Sequence, residues 1–264
     1  MKVLVDNDVT KGMALPAVII ANIRSGGTFL SHCLSNHPQI FCDRDESLHH
    51  LSVWHTHLTI DRVNLLYCLT HMAGWNVSMC KLVYKQALQP DVWAYLAATK
   101  PHVIHLIRRN VIRQAVSALI NRSVRSGFLS TPHPAHTFED VPGIKIELTP
   151  DSILNLARGL FALDRQVAQE LKEFPHVLNI DYASLGGEGE SVKRLPAEAG
   201  RTICSFLGVP YHAMPCDLKR INPQPLSEIL VNWQEVLPAI QASEFAECLT
   251  EDGGRKTERR RKKK

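Results

Sequence analysis

The chain has 264 residues, of which 45% are hydrophobic, and this is enough to bury the core of one α/β domain of ordinary size. Its formal net charge of +4 comes from the last ten residues, RKTERRRKKK, because the rest of the chain has 22 Lys and Arg against 25 Asp and Glu. The mildly acidic body gives no sign of a specific nucleic-acid surface.

The first predicted element is a buried strand at 17–23 that leads through two glycines into a helix. The loop Arg24-Ser25-Gly26-Gly27-Thr28 lies between them. Such a turn exposes backbone N–H groups and a helix N-terminus to one small volume, which suits an anion. The charge of Arg24 and the two hydroxyls add to this, so the loop is predicted to bind phosphate or sulfate. The alternative is an ordinary strand-to-helix turn that uses glycine for backbone freedom.

The loop differs from the usual nucleoside-triphosphate loop, G-x-x-x-x-G-K-[ST]. That pattern places a Lys directly after its second Gly, whereas Gly27 is followed by Thr28 and Phe29. The difference weakens an interpretation as an NTPase.

Four histidines follow the first helix, at His49, His50, His55 and His57. Closely spaced imidazoles often bind zinc, but no pair here has the H-E-x-x-H arrangement. We interpret them as a surface or acceptor-pocket cluster, one member of which could serve as a base.

A second strand, loop and helix occupies 102–120, HVIHLIRRNVIRQAVSALI. Its strand ends in Arg108-Arg109-Asn110, and Ser117 follows Arg109 by slightly more than two helical turns. Both side chains can therefore face one ligand. Two such sites in one chain predict a ligand with phosphate-like groups at both ends.

Apolar strands alternate with helical segments along the chain. Strands are predicted at 17–23, 78–84, 102–107 and 176–181, and helices at 28–36, 60–73, 111–121, 152–173 and 197–207. This alternation predicts an α/β fold, a parallel sheet flanked by helices on both faces, with ligands at the carboxyl ends of the strands. Residues 122–150 lack periodicity and are interpreted as a lid, an acceptor loop or a disordered insertion.

With these motifs in order, the chain resembles the sulfotransferases that use 3′-phosphoadenosine 5′-phosphosulfate (PAPS), in their bacterial and Golgi-like branch. In that family an [RK]-S-G-T-T-like loop holds the 5′-phosphosulfate, and an R-x(7)-S element holds the 3′-phosphate. RSGGT at 24–28 and Arg109 with Ser117 match, with Gly27 in place of the commoner Thr. Further similar segments are SNHPQIFCDRDES at 35–47, MCKLVYKQ at 79–86, VLNIDYASL at 177–185, SFLGVPY at 205–211 and KRINPQPLSEILVNWQEV at 219–236.

The resemblance implies a sulfotransferase-type P-loop fold over 16–250, between an N-terminal extension at 1–15 and a disordered basic tail at 251–264. It implies transfer of the sulfuryl group from PAPS to a hydroxyl or amine, release of 3′,5′-ADP and no metal. The residues it assigns to cosubstrate binding are Arg24, Ser25, Gly26, Gly27, Thr28, Phe29, Arg109, Ser117, Lys219 and Arg220.

Two steps of the implied reaction need catalytic groups. Arg24 is expected to stabilise the leaving oxygen, because it stays charged and can bridge two oxygens. A hydroxyl acceptor must lose its proton, which requires a nearby base. Glu46 and Asp45 are the candidates, and Glu46 followed by Ser47 is more similar to the family pattern.

The acceptor stays open among a small molecule, a glycan and a lipid, and the sequence does not indicate an oligomeric state. One alternative function is a small-molecule kinase of related fold, whose magnesium ligands we cannot locate. Another is a noncatalytic anion or nucleic-acid binder that uses the basic tail.

Cysteine usage and hydropathy predict a cytoplasmic protein. The seven cysteines form no C-x-x-C pair and are expected to be mostly buried free thiols, as in a reducing compartment. The apolar run ALPAVIIANI is too short to span a membrane, so no transmembrane segment is expected.

Overall fold

A sheet of five parallel strands forms the centre of the structure. The computed structural model describes residues 14–43, 60, 73–125, 144–187, 192–218 and 224–251. The strands are β1 (Leu15–Ala21), β2 (Ile40–Cys42), β3 (Val77–Val83), β4 (His102–Ile107) and β5 (Val177–Asp181). Their order across the sheet is β2-β3-β1-β4-β5, and every pairing is parallel.

The helices connect the strands and extend the chain beyond β5. They are α1 (Gly27–Leu34), α2 (Tyr84–Ala87), α3 (Pro90–Thr99), α4 (Val111–Arg125), α5 (Pro150–Glu170), α6 (Ala197–Phe206), α7 (Leu226–Ile229), α8 (Trp233–Gln241) and α9 (Cys248–Glu251). Short 3₁₀ turns occupy Leu171–Glu173 and Tyr182–Leu185. Asn110 and Thr149 cap α4 and α5, because their side-chain oxygens accept hydrogen bonds from the first turn of each helix.

Side chains of β1 alternate between two cores, which shows that helices cover both faces of the sheet. Ala17, Ile19 and Ala21 belong to a cluster that includes residues of α1 and α6. Val18 and Ile20 belong to another, with residues of α2, α3 and α5. The prediction of an α/β fold with helices on both faces of a parallel sheet is therefore confirmed.

Several element boundaries differ from the sequence prediction. β1 ends at Ala21, two residues early, and the three-residue strand β2 and helix α3 were not predicted. The irregular region predicted at 122–150 is too long at both ends, since α4 continues to Arg125 and α5 begins at Pro150. The predicted helix at 60–73, apart from residues 60 and 73, lies outside the described residues, and so does the predicted tail beyond Glu251, which itself ends α9.

The cysteines of the described residues are free thiols. Cys33, Cys42, Cys80, Cys204 and Cys216 are buried free thiols, and the free thiol of Cys248 is partly buried, which agrees with the prediction for these six. In the ranges that the model describes, no helix combines the length and the apolar character needed to cross a bilayer.

Candidate anion-binding site

The loop between β1 and α1 has a conformation that requires glycine. Arg24 and Gly26 both have positive φ, of 59° and 92°. A Cβ at Gly26 would lie 2.7 Å from Cδ2 of Tyr182, and one at Gly27 would lie 2.9 Å from Cδ of Lys81. The two glycines therefore allow Tyr182 and Lys81 to approach the loop backbone, in addition to freeing the backbone itself.

Helix α1 begins at this loop without a capping side chain. Gly26 is its N-cap residue and has no side chain that could accept a hydrogen bond from the first turn. Uncapped N–H groups at a helix N-terminus, together with a loop that has positive φ, are typical of an anion site.

Three successive carbonyl oxygens of the loop accept hydrogen bonds from protein donors. Asn22 O accepts from Ser25 Oγ at 2.7 Å, and Ile23 O accepts from Gln114 Nε2 at 2.7 Å. Arg24 O accepts from Nη1 of Arg108 at 2.8 Å. Carbonyl oxygens would repel an anion, so engaging them favours a loop that presents its amides to a ligand. The Ser25 hydroxyl, predicted to contact the anion, is used here within the loop.

Two cationic side chains reach the loop and its helix. Arg24 Nε donates to Ser117 Oγ at 3.0 Å, and Lys81 Nζ donates to Thr28 Oγ1 at 3.0 Å. The first contact brings together two of the predicted site residues, which are 93 positions apart in sequence. Lys81 was not among the predicted site residues, although a Lys within the apolar strand VSMCKLV, paired in parallel with β1, is a usable signal.

The two arginines that follow β4 have different surroundings. Arg108 is buried, and its guanidinium lies 4.6 Å from the centre of the Tyr182 ring, over its face. The side chain of Arg109 is 78% exposed and pairs with Asp181, with Nε 2.5 Å from Oδ2. Arg108 thus supports the loop, whereas the side chain of Arg109 is open to solvent and contacts β5 through Asp181.

The remaining predicted site residues fall into two groups. Phe29 is partly buried and packs against the core cluster that contains α1. Asp45, Glu46, Lys219 and Arg220, with the four histidines at 49–57, lie outside the described residues. Within the described ranges, no three His, Cys, Asp or Glu side chains group as metal ligands.

Comparisons with known proteins give weak likenesses. No family model matches the sequence, and no curated protein matches it. Among solved structures, the chain is similar to a sulfotransferase domain from the curacin biosynthetic pathway, with 15% identity, a TM-score of 0.48 and 76% of each chain covered. It is also similar to the sulfotransferase domain of the Synechococcus PCC 7002 olefin synthase, with 16% identity, a TM-score of 0.35 and coverage of 76% of this chain and 75% of that one.

Proposed function

We propose that the chain is a sulfotransferase that moves the sulfuryl group of PAPS to a hydroxyl or amine of an acceptor and releases 3′,5′-ADP. The observation that supports this most directly is the 3.0 Å hydrogen bond from Arg24 Nε to Ser117 Oγ. It joins the loop that resembles a phosphosulfate loop to the element that resembles a 3′-phosphate site. A ligand with an anionic group at each end suits a site in which these two elements meet.

The loop residues would hold the 5′-phosphosulfate of PAPS. The backbone of residues 24–28 and the N-terminus of α1 offer N–H groups, and Arg24 and Lys81 offer positive charge. Arg109 and Ser117 would hold the 3′-phosphate, for which the exposed Arg109 would exchange its partner Asp181. Lys219 and Arg220 would close over the nucleotide from the C-terminal side.

In the reaction, the bond between sulfur and the bridging phosphate oxygen breaks, and a bond between sulfur and the acceptor oxygen or nitrogen forms. Negative charge develops on the bridging oxygen, so Arg24 and Lys81 would stabilise the transition state electrostatically, as cations do in phosphoryl transfer. The acceptor's proton would pass to a carboxylate, either Glu46 or Asp45. The acceptor would be a small molecule, a glycan or a lipid, and the reaction would take place in the cytoplasm without a metal.

Calorimetric titration of 3′,5′-ADP (PAP) without magnesium tests this proposal. We expect the wild type to bind PAP, and Arg24→Ala and Arg109→Ala each to weaken binding about 10-fold or more, because each removes a charged hydrogen-bond donor to a phosphate. Arg158→Ala is the matched control, since Arg158 is an exposed arginine that pairs with Glu244 away from the loop.

The PAP titrations distinguish an error in the assigned site from an error in the proposed function. An unchanged affinity in both site variants would contradict the assigned site. No PAP binding by the wild type would contradict the proposed function, and binding of ATP with magnesium instead would favour the related kinase.

A further inference from the structure

A chain of polar side chains runs behind the loop, from Asn22 to the edge strand β5. Asn22 Nδ2 donates to Asp164 Oδ1 at 3.2 Å, and the Asp164 carboxyl lies close enough to the Tyr84 hydroxyl to interact with it. That hydroxyl lies 2.7 Å from His105 Nε2, and His105 Nδ1 lies 2.9 Å from Asn179 Oδ1. Four of these side chains are buried, and only Asn179 is exposed. Burying a carboxyl group in a core is costly unless it is hydrogen-bonded. The burial of Asp164 therefore raises the question of what its contacts do for the protein.

The contact between Asp164 and Asn22 determines how the Asn22 amide is oriented. Nδ2 donates to Asp164 Oδ1 and also to the carbonyl oxygen of Leu160, at 3.3 Å. The amide oxygen must then point the other way, and it accepts from the backbone N–H of Ile23 at 2.9 Å. The carbonyl of Asn22 accepts from the Ser25 hydroxyl. A residue of α5 thereby fixes the first residue of the loop through its side chain.

We propose that Asp164 is a positioning residue for the anion-binding loop, which it holds in its binding conformation through the side chain of Asn22. The effect of Asp164 on PAP binding rests on the proposed function. Its effect on the conformation of the loop in the free protein does not.

The contact does not depend on the charge of Asp164. When protonated, the carboxyl can donate to the Tyr84 oxygen; when ionised, it can accept from the Tyr84 hydroxyl. In both forms Oδ1 accepts from Asn22. An asparagine at 164 can make the same pair of contacts, because its oxygen accepts from Asn22 and its amide donates to Tyr84. The conservative variant Asp164→Asn is therefore expected to preserve the loop, and Asp164→Ala is expected to release it.

Hydrogen exchange of the free protein tests the effect on the loop. We expect the Ile23 amide to exchange about tenfold faster in Asp164→Ala, because the hydrogen bond that protects it is weakened, and at the wild-type rate in Asp164→Asn. Val167→Ala is the matched control: Val167 is fully buried on the same helix, one turn further on. It should lower the melting temperature without changing exchange at Ile23. Wild-type exchange at Ile23 in Asp164→Ala, or equal acceleration in Val167→Ala, would overturn the proposal.

Asn22→Ala provides a second route to the same result. If Asp164→Ala does not fold, Asn22→Ala removes the group that Asp164 holds and, because it deletes the acceptor itself, should accelerate exchange at Ile23 at least about tenfold; unchanged exchange would overturn the proposal.

PAP affinity then tests the link to binding. We expect Asp164→Ala to weaken PAP binding about tenfold, and to have no further effect in an Asn22→Ala background, because both changes remove one contact. Full additivity of the two changes would overturn action through Asn22. A wild type that does not bind PAP would contradict the proposed function alone, since the exchange measurement would still decide this inference.

Discussion

At Gly26 the backbone has a φ of 92°, in the left-handed region, and a Cβ there would lie 2.7 Å from Cδ2 of the Tyr182 ring. Gly26→Ala would strain the backbone and push Tyr182 away. We expect it to lower the free energy of unfolding by about 1–3 kcal/mol and to weaken PAP binding at least about tenfold, because the loop must shift. Urea unfolding and calorimetry measure these two quantities.

Gly159→Ala is the control for this substitution. Gly159 is an exposed residue of α5, and a Cβ there meets no atom within 4 Å. Alanine at this position should raise the free energy of unfolding by about 0.5–1 kcal/mol, because it favours the helix, and leave PAP binding unchanged. If Gly26→Ala also raised the free energy of unfolding and left PAP binding unchanged, neither stability nor binding would depend on the left-handed conformation at Gly26.

Burial raises the pKa of Asp164 to about 6, which predicts a pH dependence of stability. The folded protein then holds this proton more tightly than the unfolded chain. The contribution of Asp164 to the free energy of unfolding therefore falls by up to about 3 kcal/mol as the pH rises from about 4 to about 6. Above about pH 6 this contribution stays constant. The titratable groups facing Asp164 are Tyr84 and, through it, His105, and burial shifts both toward their neutral forms.

The difference in unfolding free energy between the wild type and Asp164→Asn isolates this effect, because Tyr84 and His105 are present in both. We expect the wild type to lose stability relative to Asp164→Asn as the pH rises from about 4.5 to 7. The same difference at both pH values would contradict a raised pKa.

At the scale of elements, helix α4 holds the loop through residues on one of its faces. Gln114 and Ser117 are three positions apart and contact Ile23 O and Arg24 Nε. We expect Ser117→Ala to weaken PAP binding about 5- to 10-fold, because it removes a hydrogen-bonding hydroxyl and frees Arg24. Its effect should be smaller in an Arg24→Ala background, since the two side chains act together.

Ser123→Ala is the control on the same helix. The Ser123 hydroxyl donates to the carbonyl of Leu119 within α4, at 3.1 Å, so its removal should not change PAP affinity. Equal losses in calorimetric titrations of the two variants would indicate a general effect on α4 rather than a contact with the site.

Local sequence patterns predicted most of the central sheet. Four of the five strands were predicted, because each contains a run of at least five mostly apolar residues; β1, β3 and β4 are largely buried, whereas the edge strand β5 is only partly buried. β2 was not predicted, since a run of three residues shows no periodicity. Helix α3 was also missed, although Pro90 at its first turn, followed by Asp91, is a usual start signal.

The sequence singles out candidate site residues only where they are adjacent in sequence or regularly spaced. The loop and the spacing of Arg109 and Ser117 are local patterns. Gln114 was missed because its partner is a main-chain oxygen 91 residues away. Arg108 was noticed beside Arg109, but its contact with a main-chain oxygen 84 residues away was not predicted. Asp164 was missed because its partner Asn22 is 142 residues away. A single sequence carries no signal for such pairs.

At the scale of the whole molecule, the order of the strands explains why the two elements proposed to bind an anion meet. β1 lies between β3 and β4, so the loop after β1 and the loop after β4 leave the same edge of the sheet from neighbouring strands. The chain fills one side of β1 with β2 and β3 and the other side with β4 and β5. Crevices where the direction of winding reverses in this way are the usual ligand sites of parallel sheets.

The basic tail is the other feature of the whole molecule that could bind an anion. Its removal after Gly254 leaves a body with 22 Lys and Arg against 25 Asp and Glu, so the sign of the net charge reverses. If PAP binds at the loop, the truncated chain should retain its affinity within about twofold at physiological salt, because none of the proposed PAP contacts comes from the tail and charges that do not contact a ligand are screened over about 8 Å. At low salt the screening is weaker, so truncation is expected to lower the affinity more there than at physiological salt. Calorimetric titration of both chains at low and physiological salt measures this, and loss of binding on truncation would instead favour a noncatalytic anion binder that uses its tail.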